Sequence, residues 1–128
     1  AMHDNMHKHL ERLIEQLGPE RFAQMREMMP PKAHPVVRTH PESGRKCLFV
    51  SELMTSHIVE LNRAESQKIL AFLFEHSNLP EFQCRMRWKK GSIAFWDNRS
   101  TIHKGVFDFG DTHRLMHRVS INDDQRPS

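Results

Sequence analysis

Toward the end of this 128-residue chain stand one imidazole and two guanidiniums whose order suits a site for a metal and for anions. His103 follows Trp96-Asp97-Asn98-Arg99-Ser100-Thr101-Ile102; Arg114 comes eleven residues later and Arg118 four beyond that. A neutral imidazole is a good donor to a divalent transition metal. A planar guanidinium grips a carboxylate or sulfonate through two parallel hydrogen bonds, which the point charge of a lysine does not do. On a strand, Arg114 and Arg118 would share a face about 13 Å apart at ~3.3 Å per residue. Two inward-facing arginines are costly without anionic partners. Thr101 shares the face of His103 and reads either as a further polar contact of such a site or as a turn cap. Together these parts would hold a metal, a dicarboxylate and an anionic substrate, converging on one cavity.

Strands must carry those side chains, and the pattern supplies them. Phe82, Cys84, Met86 and Trp88 alternate with Gln83, Arg85 and Arg87, which predicts a strand with one packed and one wet face. Lys89-Lys90-Gly91 turns the chain into Ile93, Ala94, Phe95 and Trp96. A last strand over 114–121 sets Leu115, His117, Val119 and Ile121 against Arg114, Met116, Arg118 and Ser120. His113 and His117 are four apart, a spacing that on a strand does not bring two imidazoles to one ion.

Upstream, Met6, Leu10, Leu13, Ile14 and Leu17 recur at helical spacing up to Gly18-Pro19. Pro19 opens a second helix bearing Phe22, Met25, Met28 and Met29, stopped by Pro30-Pro31. The methionines of this pair are read as packing onto the rest of the domain. Val36 and Val37, then Cys47, Leu48, Phe49 and Val50, flank Pro41-Glu42-Ser43-Gly44 as a hairpin. Asn62 caps a third helix with Glu65 as its box partner, and Ile69, Leu70, Phe72, Leu73 and Phe74 predict that this helix is buried. The chain thus divides into a helical segment (1–31), a hairpin and connection (34–61), a helix (62–77) and site-bearing barrel strands (82–122). The fold class predicted is mainly β with flanking α-helices, a double-stranded β-helix or jelly roll of which only the later strands are present.

The blocks W-D-N-R-x-T-x-H at 96–103 and R-x-M-H-R at 114–118 closely resemble the taurine and 2,4-dichlorophenoxyacetate dioxygenase (TauD/TfdA) family. The resemblance extends through the segment from His34 to Lys46, Leu48-Phe49-Val50 and Pro80-Glu81-Phe82-Gln83, and covers most of the chain. It implies a non-haem iron(II) enzyme that uses 2-oxoglutarate and dioxygen to hydroxylate a carbon beside an anionic group, releasing succinate and carbon dioxide. It implies His103 as the distal iron ligand, Arg114 with Thr101 at the cosubstrate, and Arg118 as anchor of the substrate anion. Met54 stands where the taurine enzymes keep a substrate-lining aromatic; with Leu53 it predicts a softer wall, which leaves sulfonates, alkyl sulfates and aryloxyacetates all open. Trp96 is expected to pack beside the metal, and Asp97 and Asn98 to tie the turn.

The family completes its iron site with a His-x-Asp pair, giving two imidazoles and one carboxylate. No His-x-Asp occurs here; His3-Asp4 and His7-Lys8-His9 have the wrong spacing. The expectation is a C-terminal portion of such a domain that alone binds iron weakly and turns nothing over. The alternative is a truncated, non-catalytic remnant or interaction module retaining the fold. A different metal on His3 and His7, sharing a helix face, is the weakest reading.

Composition bounds these readings. A hydrophobic content of 38%, with eight Phe and eight Met, is too rich for a disordered chain. No apolar run approaches ~18 residues, and no secretory leader opens the chain, so a cytoplasmic protein without a membrane span is expected. Cys47 and Cys84 lack any short spacing and read as buried free thiols in a reducing compartment. The formal charge of +3 is scattered, and no basic and aromatic stripe accompanies it; a nucleic-acid partner is not expected, while a positive field suits small anionic substrates. Homo-oligomerisation is left open.

Overall fold

The computed structural model describes residues 1–121. Five short strands and three helices build its ordered part. β1 (Met2–His3) lies between β2 (Lys32–Ala33) and β5 (Thr55–His57), antiparallel to both, with the register shifting between Met2 and His3 on the β5 side. β3 (Val37–Thr39) and β4 (Lys46–Leu48) form the expected hairpin, pairing Val37 with Leu48, Arg38 with Cys47 and Thr39 with Lys46. The turn closes through His40 N–H to the Arg45 carbonyl (2.8 Å) and Gly44 N–H to the His40 carbonyl (2.9 Å). Gly44 sits there at φ 66°, in the left-handed region where a side chain would be strained.

α1 (Leu10–Leu17) and α2 (Pro19–Met28) pack against each other across Gly18, which has φ 77° and serves as C-cap of one and N-cap of the other. The break falls where Gly18-Pro19 predicted it. α1 begins at Leu10 and leaves Met6 outside it, because Met6 N–H bonds the Asp4 carboxylate (3.0 Å) and His7 Nδ1 pairs with the Asp4 carbonyl (2.7 Å) in a local turn. With His3 in β1 and His7 in that turn, the two histidines do not share a helix face, and the reading of a metal there is withdrawn.

α3 (Arg63–Ser77) starts at the cap expected: the Asn62 side chain accepts from Glu65 N–H at 3.0 Å. Leu70 and Ser66, one turn apart, face inward, and the Ser66 hydroxyl accepts from the Ile58 N–H at 2.8 Å. Ala1, Val50, Ile58 and Leu70 make the small core, with Val36, Leu61, Leu73 and Phe74 packed around it. The expectation of a fully buried α3 is corrected, since Ile69 and Phe72 stand exposed on its other side. Met28 and Met29 likewise point outward, and Met6 is the methionine of the N-terminal segment that is buried.

The largest departure lies in residues 82–121. The strands expected over 82–88, 93–96 and 114–121 do not form; apart from a short 3-10 turn at Pro80–Phe82, the backbone there runs irregularly. Ile93, Phe95 and Val119 are about nine-tenths exposed. An alternating sequence becomes a strand only where a neighbour accepts its ladder, and among the described residues β1 to β5 pair with one another and with no part of 82–121. The accessible surface of 11183 Å² exceeds the roughly 7,100 Å² of a compact chain of 15.1 kDa. The described residues therefore hold two small antiparallel sheets and three helices rather than a closed barrel. The reading of Cys84 as a buried thiol is also corrected: it is exposed, whereas Cys47 is half-buried.

Candidate functional site

The block 96–103 is organised by one carboxylate. Asp97 Oδ1 accepts from Arg99 N–H (2.8 Å) and Arg99 Nε (3.0 Å), and Asp97 Oδ2 takes Arg99 Nη2 (2.8 Å) and pairs with His40 Nε2 (3.0 Å). The Arg99 and His40 hydrogen bonds hold the Asp97 carboxyl well below the ordinary carboxylate range. Because His40 begins the β3–β4 turn, this contact ties the C-terminal segment to the hairpin across 57 residues. Cys47 on β4 reinforces it, its Sγ lying 3.7 Å from the Arg38 carbonyl and 3.6 Å from that of Arg99.

Within this tether His103 packs its ring against Trp96, with centroids 4.8 Å apart, while Trp96 Nε1 donates to Asn98 at 3.0 Å. The Thr101 hydroxyl donates to the Asp97 carbonyl at 2.6 Å, so it closes the turn. Asp97 and Asn98 tie that turn as expected. Arg114 lies over the face of Phe109 at 5.2 Å, a cation–π contact, and is exposed. Arg118 is exposed without an ion pair among the described residues. Met54 is exposed in the turn before β5, and its carbonyl accepts from Asp4 N–H at 2.6 Å.

The expected convergence is therefore not formed. His103, Arg114 and Arg118 stand in solvent-facing chain, and the cavities at the core are lined by other residues. No three His, Cys, Asp or Glu side chains come together as a metal-holding group among the described residues. His103 is a single donor, so these residues alone do not fit an iron site.

A second constellation lies on the sheets themselves, and residue-type reasoning passed it over. His3 and His34 meet edge to face with centroids 4.9 Å apart, and both rings meet Phe49, at 5.1 and 5.5 Å. The Arg38 guanidinium lies over the same phenyl ring at 4.9 Å. Burial lowers the affinity of both imidazoles for a proton, helped at His3 by the charge of His34 and at His34 by the charges of Lys32 and Arg38. No local signal could have found it: β2 ends at Ala33 and β3 begins at Val37 in the other sheet, so no single strand period links His34 to Arg38.

Comparison with known proteins places the whole chain in context. Residues 1–120 match the family model described as taurine catabolism dioxygenase TauD, TfdA family. An alkylsulfatase of Acinetobacter baylyi is 39% identical over 69% of this chain and 27% of its own length. An alpha-ketoglutarate-dependent 2,4-dichlorophenoxyacetate dioxygenase of Cupriavidus pinatubonensis is 40% identical over 77% of this chain and 34% of its own. An alpha-ketoglutarate-dependent sulfate ester dioxygenase of Pseudomonas putida is 40% identical over 69% and 29%. The chain thus spans between about a quarter and a third of the length of these relatives.

Proposed function

The chain belongs to the TauD, TfdA family of taurine catabolism dioxygenases, and from that premise we propose that it supplies part of the active site of an iron(II)- and 2-oxoglutarate-dependent dioxygenase acting on a small anionic substrate. The observation that carries this reading is the family match across residues 1–120, with the W-D-N-R-x-T-x-H and R-x-M-H-R blocks inside it. When bound, iron with 2-oxoglutarate supplies the oxidising power for hydroxylation, releasing succinate and carbon dioxide. This chain brings His103 as one imidazole donor to the metal. Arg114 binds the far carboxylate of 2-oxoglutarate as a planar fork, with Thr101 beside it. Arg118 holds the substrate's anionic group, and Met54 lines the substrate as a pliable wall. The relatives' names cover sulfate esters and an aryloxyacetate, which share a small anionic head on an organic body.

The exposed state of Arg114 and Arg118 accords with this assignment in one respect. Neither is spent on an ion pair within the described residues, so both guanidiniums are available to ligands. The assay is succinate release from 2-oxoglutarate by the full polypeptide carrying these residues, offered an alkyl sulfate, an alkanesulfonate and an aryloxyacetate. Stimulation by at least one class is expected. Arg118→Ala should raise KM for that substrate about 10- to 100-fold, as loss of a charge-assisted pair does, while KM for 2-oxoglutarate stays unchanged. Equal effects on both constants would remove Arg118 from the substrate.

A second reading is favoured by one observation: many apolar side chains of residues 82–121 are exposed, as an interaction module would present them. It describes a non-catalytic remnant retaining family sequence. Succinate release by the full polypeptide excludes it.

A further inference from the structure

The residues around Phe49 take no part in the proposed reaction, yet they carry an unanswered charge. Arg38 is 5% exposed, and its side chain makes no ion pair or hydrogen bond among the described residues; its Nε is buried without a partner. The Phe49 ring under it relieves part of the charge but accepts no hydrogen bond in the ring plane. His3 Nε2 is buried and unpartnered as well, against the same ring, and His34 closes the group from 4.9 Å away. Three basic side chains thus surround one phenyl with no carboxylate paired to any of them. Buried donors of this kind are the complement of an anion, since a guanidinium out of water is tolerated when oxygens meet its N–H groups.

We propose that Arg38, His3 and His34 form a binding site for a small singly charged oxoanion, a carboxylate or sulfonate in class, distinct from the Arg114 and Arg118 positions. His34 also lines an open cavity of about 360 Å³ with Ala1, Ala33, Pro35, Val36, Val59 and Glu60; Arg38 and His3 lie outside that lining, so the cavity gives solvent a way to His34 alone. Glu60 shares that lining, and its carboxylate repels any anion there, a doubly charged one twice as strongly. The site's donors come from β1, β3 and the residue after β2, so binding would join the two sheets.

The test follows the ring resonances of His3 and His34 by NMR as methanesulfonate, and separately acetate, replaces chloride at constant ionic strength. Saturable shifts at both rings are expected for at least one of the two anions, with half-saturation near about 1 mM, weakened tenfold or more in Arg38→Met. His34→Phe keeps the ring contact but lacks the donor, and should weaken binding about threefold even if Arg38→Met fails to fold. Absence of saturable shifts in the unmodified chain overturns the proposal, as does unchanged half-saturation in the variants that fold.

Discussion

Asp97 shows how one side chain can do structural duty inside a block that looks catalytic. Its carboxylate gathers Arg99 and His40, and that is why Trp96 and His103 are held in a defined turn. A carboxyl whose folded value is depressed stabilises the fold above its ordinary value of 3.8 and loses that contribution as pH falls through the lowered one. Asp97→Asn should therefore lower the urea midpoint at pH 7, and the gap to the unmodified chain should close as the pH drops below 3.8. A gap that persists at low pH would show that packing, not charge, is what the substitution removes. His3 gives the complementary case. Burial depresses its proton affinity, so the unfolded chain takes up a proton more readily, and stability declines as pH falls below the ordinary value of 6.5. His3→Phe should flatten the urea midpoint between pH 7.5 and 5.5; an unchanged slope would assign the dependence to other groups.

At this scale the sequence was legible where chemistry and spacing coincide. The W-D-N-R turn and its structural duty were readable because Asp and Asn close turns through their own side chains. The Arg38 cluster was not, since nothing local tells that Phe49, His3 and His34 will meet; β1 reaches them only through long-range pairing with β2 and β5.

Among the elements, α3 was the most readable, because Asn62 and Glu65 announce its start and Asn78-Leu79-Pro80 its end. The hairpin and the Gly18-Pro19 break were readable for the same reason, local backbone chemistry. The strands expected over 82–88, 93–96 and 114–121 were not realised, because a strand is a property of two segments and a sequence displays one. Ser66 is the element-scale feature with a definite cost. It is 1% exposed, and its hydroxyl is the partner of the Ile58 N–H, joining α3 to the segment after β5. Ser66→Ala leaves that N–H buried and unpaired, which should cost about 1–3 kcal/mol by urea denaturation. A loss below a few tenths would mean that the amide finds water.

Taken whole, the molecule is a small ordered N-terminal part joined through Asp97 and His40 to a stretch rich in exposed apolar side chains. Ile93, Phe95, Phe107 and Val119, all more than four-fifths exposed, should make the isolated 128-residue chain bind a hydrophobic dye such as ANS strongly. Dye fluorescence no higher than that of a compact protein of the same mass would contradict the exposure described. With His103 as a lone donor, the isolated chain should also bind iron(II) weakly and release no succinate. On the proposed assignment, the same segment within a complete dioxygenase would bring its imidazole and guanidiniums to the ligands that these described residues do not assemble. The most direct measurement is succinate release from 2-oxoglutarate by that full polypeptide with and without His103→Ala. A fall of about 100-fold or more in turnover is predicted, with folding intact by circular dichroism. Turnover undiminished by His103→Ala would contradict the assignment of the metal to this segment.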